Sequence, residues 1–175
     1  MRRREFLSLL GGTAVNWPVA ARAEKKYGPG AGDTEIKVGN IMPYSGSASA
    51  FSLVGKTIGA YFEKLIADGG IDGRKIRFIS YDDGYSPSKT VEQARRFVED
   101  DGVLLILSSL GTAPNNAIRK YMNANKVPQL FVFTGAREFG DPKHFPWTMG
   151  WTPTYQNEGR AFASDSARDT GRARS

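Results

Sequence analysis

The chain contains no cysteine and only one histidine. Lack of cysteine excludes disulfide frameworks, thiolate nucleophiles and thiolate metal sites. The lone His144, in Lys143-His144-Phe145-Pro146-Trp147, has no second histidine to complete a metal set or a nucleophile–base pair, and reads as a surface-loop residue. No metal site, cofactor or catalytic residue is expected. Long apolar runs are scarce as well: the stretch 6–21 falls short of the roughly 20 residues a membrane span needs and is broken by Gly11, Gly12, Asn16 and Pro18. Basic charge is sparse where it would matter. The net charge is +6, but four Arg and one Glu in residues 1–23 supply +3 and four Arg and two Asp in residues 160–175 supply +2. The nearly neutral body offers no basic face for phosphates, so a nucleic-acid partner is not expected. What remains is ordinary: 175 residues, 40% hydrophobic and 24% charged, suit about one globular domain.

The N-terminus reads as an address. Arg3-Arg4, one intervening residue and Phe6-Leu7 precede a weakly apolar region, and Ala21-Arg22-Ala23 offers the small-x-small pattern of a signal-peptidase site. Residues 1–23 thus resemble a twin-arginine export signal, cleaved after Ala23, and the expected location is the periplasm, with no stable membrane insertion once the signal is removed. Residues 24–35, rich in Lys and Gly, read as a linker.

From there strand and helix alternate. Ile36 to Met42 reads as a first strand ending at Pro43. Ile58, Tyr61, Phe62, Leu65 and Ile66 form one helical stripe, stopped by Gly69-Gly70. Lys75 to Tyr81 alternates as a second strand. Ser86-Pro87 then starts a helix with Val91, Ala94, Phe97 and Val98 inward. Val103 to Leu107 is continuously apolar, as a doubly buried strand requires, Thr112 caps a third helix running to about Ala124, and Leu130 to Phe133 forms the fourth strand. Four strands joined by three helices predict an α/β, doubly wound parallel sheet.

Such sheets bind ligands beyond the carboxyl ends of their strands, where strand order reverses. The loops concerned are Pro43–Ser52, Asp82–Ser86, Ser108–Thr112 and Thr134–Phe139, rich in hydroxyls and Gly. The third opens directly into a helix, whose N-terminal N–H groups favour an anionic group. Gly55-Lys56-Thr57 has the tail of a phosphate-binding loop but lacks the required Gly at position 50, which is Ala50, and no dinucleotide fingerprint follows the first strand. Asp82-Asp83 reads as a turn and helix cap.

In order along the chain occur Pro43-Tyr44-Ser45-Gly46, Gly59-Ala60-Tyr61-Phe62-Glu63-Lys64, Gly69-Gly70-Ile71-Asp72-Gly73-Arg74-Lys75-Ile76, Tyr81-Asp82-Asp83, Gly111-Thr112, Lys126-Val127-Pro128-Gln129-Leu130-Phe131 and Pro146-Trp147-Thr148-Met149-Gly150. Together they resemble the leucine/isoleucine/valine-binding protein family, the type I periplasmic solute-binding proteins of ABC transporters. The resemblance implies one Rossmann-like lobe, residues 36–160, with the second lobe missing, and a non-enzymatic role in importing branched-chain amino acids or a related small solute, with a transporter permease as partner. It further implies that Gly111 and Thr112 hold the ligand carboxylate, that Gly135 and Ala136 face its ammonium, and that Ser45 and Phe51 line the first loop. The family continues past Arg160 as a long apolar-striped helix. Here residues 161–175 offer little apolar surface, so a frayed or disordered tail is expected, as from a truncated or frameshifted gene. The residues alone leave a second reading open: a small flavodoxin-like enzymatic or regulatory domain with chemistry at Asp82.

If the N-terminus is a twin-arginine signal, replacing both Arg3 and Arg4 by Lys holds the protein in the cytoplasmic fraction of an expressing bacterium. Mass spectrometry of periplasmic and cytoplasmic fractions checks this: the unaltered chain should appear in the periplasm starting at Glu24, and equal export of both forms would refute the reading.

Overall fold

The computed structural model describes residues 27–172, so the expected export signal lies outside the described residues. Branched Ile36, Val38 and Ile41 set strand β1 (Glu35–Met42), and the alternating run after Gly69-Gly70 sets β2 (Lys75–Asp82). Three shorter strands follow: β3 (Leu105–Leu107), β4 (Gln129–Val132) and β5 (Thr148–Gly150). Between them run α1 (Ser52–Ala67), α2 (Pro87–Arg96) and α3 (Thr112–Ala124), and α4 (Tyr155–Arg172) comes last. All pairs are parallel, in the order β2-β1-β3-β4-β5. The expected α/β, doubly wound parallel sheet is therefore the fold observed.

β1 lies inside the sheet and is buried on both faces. Its Ile41 joins Ala94 and Phe97 of the α2 segment, Val103, Ile106, and Ile118 and Met122 of α3 in one apolar cluster. On the opposite face Val38, Asn40 and Met42 are buried, with α1 packed over β1 and β2. Buried Asn40 would be costly there without partners. Its Nδ2 donates to the Leu107 carbonyl at 2.8 Å, its Oδ1 accepts from Ser80 Oγ at 2.7 Å, and Ser80 Oγ shares a 2.6 Å hydrogen bond with the Tyr44 hydroxyl. This chain ties the carboxyl ends of β1, β2 and β3 together, where the loops depart.

Several elements differ from expectation. β5 has no signature in the residue pattern: three residues after Pro146-Trp147 are too few to show a period, and the pairing with β4 carries a register irregularity. β3 is shorter at its start, because the Val103 N–H donates to the Phe97 carbonyl and closes the π-helical turn Phe97–Asp101 instead of entering the ladder. Residues 28–32, expected as linker, turn back onto β1, with Lys37 N–H donating to the Gly30 carbonyl at 2.7 Å. Residues 161–172, expected as a frayed helix end or disorder, continue α4 as helix rather than disorder, with side chains exposed through Ala167. Backbone hydrogen bonding continues along the helix past Arg160, with no Pro to interrupt it.

Phe97 is fully buried and stacks on Tyr81 with ring centroids 4.8 Å apart. Phe97→Ala removes the largest side chain of this core, and a loss of about 3–5 kcal/mol in unfolding free energy is expected from urea denaturation.

Candidate functional site

The chain leaves β1 for β2 on one edge and returns to β3 on the other, so the strand order reverses between β1 and β3. No helix can cover the point where two connections depart in opposite directions, and a crevice opens there. It is a cleft of about 280 Å³, lined by Ala48 and Phe51 from the loop after β1, Tyr85 from the loop after β2, Leu110 and Gly111 after β3, Phe133, Thr134 and Gly135 after β4, and Thr152, Tyr155 and Glu158 beyond β5.

Backbone pairing beyond the strand ends holds the walls. Phe133 N–H donates to the Ser109 carbonyl at 2.9 Å, and Gly111 N–H donates to the Phe133 carbonyl at 3.1 Å. Gly111 has φ 96°, a left-handed conformation that favours glycine, and a Cβ there would lie 2.5 Å from the Tyr85 ring. Tyr85 is itself left-handed, at φ 62°, held by donation from its N–H to Asp83 Oδ1 at 2.9 Å. Gly135 is needed for close approach: a Cβ would meet the Tyr155 ring at 2.6 Å.

Buried Thr134 is the polar hub. Its hydroxyl bonds the Thr112 hydroxyl at 2.7 Å and the Tyr155 hydroxyl at 3.0 Å, and it accepts from Ala136 N–H at 3.3 Å. Its carbonyl accepts from the Thr152 hydroxyl at 2.6 Å. The Thr134 hydrogen bond outweighs burial and holds the Tyr155 phenol below its ordinary pKa.

Of the residues expected in a site, Phe51, Gly111 and Gly135 line the cleft, while Thr112 and Ala136 stand one hydrogen bond behind it on Thr134. Gly111, not Thr112, caps α3, and its N–H is consumed by Phe133. The next two N–H groups, of Thr112 and Ala113, open the helix without intrahelical acceptors. The Gly135 carbonyl accepts from Tyr155 N–H at 2.8 Å. Ser45 is outside the lining. Its N–H donates to Asp82 Oδ1 at 3.1 Å, and that oxygen also accepts from Tyr44 N–H and Gly84 N–H. Asp83 accepts from the Thr90 hydroxyl at 2.7 Å, so both carboxylates serve turns. Burial pushes the Asp82 carboxyl up, but donation from Ser45, Gly84 and Tyr44 outweighs it and holds the pKa below the usual range. Tyr85, Phe133, Thr152 and Tyr155 escaped sequence reasoning, since nothing in periodicity distinguishes a ring aimed at a cleft from one aimed at the core.

Among the described residues no cluster of three or more acidic or histidine side chains could hold a metal, and no helix is long and apolar enough to cross a membrane. His144 lies in an exposed loop, its Nδ1 2.8 Å from Asp141.

A family model described as periplasmic binding protein matches residues 35–175. No curated protein matches the sequence. Among solved structures, the chain is similar to a possible leucine/isoleucine/valine-binding protein from Rhodopirellula baltica SH 1, with 22% identity and TM-score 0.71 over 78% of this chain and 36% of that one. It is similar to a substrate-binding periplasmic protein from Ralstonia solanacearum, with 27% identity and TM-score 0.64 over 70% and 35%. A third is a solute binding protein of an ABC transporter from Rhodopseudomonas palustris BisB5, solved with 3,4-dihydroxy benzoic acid, with 25% identity and TM-score 0.54 over 65% and 30%. The chain spans about a third of the length of these solved relatives.

Because the Asp82 pKa is lowered on folding, its contribution to stability is present above the ordinary carboxylate pKa and is lost as pH falls through the lowered one. Asp82→Asn is therefore expected to cost stability at pH 7, and the gap from the unaltered protein should narrow on acidification through that range. Urea unfolding at a series of pH values reads this, and a gap independent of pH would contradict it.

Proposed function

The chain belongs to the periplasmic binding protein family, and on that premise we propose that it forms one wall of the solute cleft of an ABC importer's substrate-binding component. The supporting observation is the coincidence of the cleft with the strand-order reversal, where four loops from consecutive strands converge. The solute is an amino acid or related small carboxylate. The N–H groups of Thr112 and Ala113 at the positive end of α3 receive its carboxylate. Gly111 contributes by its conformation and by letting Tyr85 approach, Gly135 and Ala136 by the fourth wall, Phe51 as an apolar side. Ser45 acts from behind, fixing the first loop through Asp82. The role is binding rather than catalysis: the relatives from Ralstonia solanacearum and Rhodopseudomonas palustris are described as substrate- or solute-binding proteins. In this reading residues 1–23 direct export to the periplasm, residues 36–160 are the ligand-binding lobe, and a transporter permease is the eventual partner.

Affinity follows from geometry. A solute against a single wall keeps its other face in water and forfeits the desolvation that two closing surfaces provide. Binding on the order of millimolar is therefore expected for the chain alone, about 4 kcal/mol. Backbone amide NMR of the full chain titrated with L-leucine should shift the signals of Thr112, Ala113 and Gly135, while micromolar calorimetry shows no saturable heat. Failure of every amino acid and small carboxylate tried to move those signals would sink the proposal, and a micromolar isotherm would sink the one-wall argument.

A further inference from the structure

The cleft walls differ in kind from what an aliphatic solute would call for. Four of the lining side chains are aromatic, Phe51, Tyr85, Phe133 and Tyr155, whereas the only large aliphatic one is Leu110, itself buried at 7% exposure. Phe51, Tyr85 and Tyr155 keep 49%, 38% and 55% of their surface in solvent. Three large rings left exposed around one concavity are a liability for a free protein and an asset for one that stacks a guest there.

The rings are also held in place before any guest arrives. Phe133 meets Phe51 edge to face, with centroids 6.5 Å apart and planes at 77°, and Trp151 stacks behind it at 6.3 Å. Tyr85 lies against the bare backbone of Gly111, aimed by its own left-handed φ of 62°, a conformation uncommon for a bulky residue. Tyr155 packs on Gly135 with its hydroxyl engaged by Thr134, so the ring rather than a free phenol is what it presents to the cleft. Rings fixed by backbone contacts and neighbouring rings lose little conformational freedom when a guest binds. Aromatic pairs then gain attraction beyond buried area through their edge and face charge distribution, which an aliphatic side chain cannot reciprocate.

From this arrangement we infer that the cleft selects solutes bearing a planar aromatic ring, held between Phe51, Phe133, Tyr85 and Tyr155, over aliphatic amino acids of similar size. The inference rests on the binding reading above and adds the solute class to it.

The test compares L-phenylalanine with L-leucine, which carry the same carboxylate and ammonium and differ in the side chain. In NMR titrations of the full chain, phenylalanine should bind about tenfold more tightly. Phe51→Leu and Phe133→Leu, which keep apolar volume but remove a ring, should each shrink the ratio of phenylalanine to leucine affinity toward one. The wild-type comparison stands even if a variant unfolds. Leucine binding as tightly as phenylalanine, or variants that weaken both solutes alike, would overturn the inference and leave the solute-binding function intact. No response to either solute at Thr112, Ala113 and Gly135 would overturn both.

Discussion

β1 can accept one neighbour on each edge, and the chain fills one edge with β2 before returning to fill the other with β3. Everything at the site depends on that reversal. It sends successive loops away from each other, leaves a gap that no crossover helix spans, and places the start of α3 beside it. The Asn40–Ser80–Tyr44 chain keeps the three strand ends in register beneath the gap. A polar side chain inside a sheet is tolerated because every strong donor and acceptor there has found a partner.

Above that floor the cleft is built by close approach. Tyr85 reaches across from the second loop to the third, and Tyr155 from beyond the fifth strand to the fourth loop, each onto a glycine backbone. Thr134 links these parts by polar contacts: with Thr112 on one side and Tyr155 on the other, a single buried hydroxyl couples the start of α3 to the start of α4. Such couplings fix the distances between groups from sequence positions more than 40 residues apart. They make the site a property of the loops together rather than of any one loop.

Much of the scaffold was legible in the residues. The stripe in α1, Ser86-Pro87 at the start of α2, the apolar run around Ile106 and the helix from Thr112 each express a local physical rule, and the elements stand within a few residues of where those rules put them. The four loops named from strand order each contribute at least one residue to the cleft. Less legible were features set by partners distant in sequence. Thr112 has the side chain of a helix cap, but its hydroxyl goes to Thr134 and Gly111 takes the cap position. Ser45 has the hydroxyl of a ligand contact, but the first loop turns it toward Asp82. β5 is too short to carry a period, and residues 161–172 continue α4 where burial arguments expected a frayed helix end or disorder.

By itself the sequence determined the class of fold, the alternation that makes the sheet parallel and the loops at its carboxyl edge, because these follow from spacing between neighbours in the chain, while the family resemblance rests on particular residues in order, such as Gly69 to Ile76 and Lys126 to Phe131. Only the tertiary structure decided which side chains face the cleft. Whether Phe51, Tyr85, Phe133 and Tyr155 pack into a core or surround a cavity depends on the path of loops whose ends are held by different strands, and no local pattern carries that information.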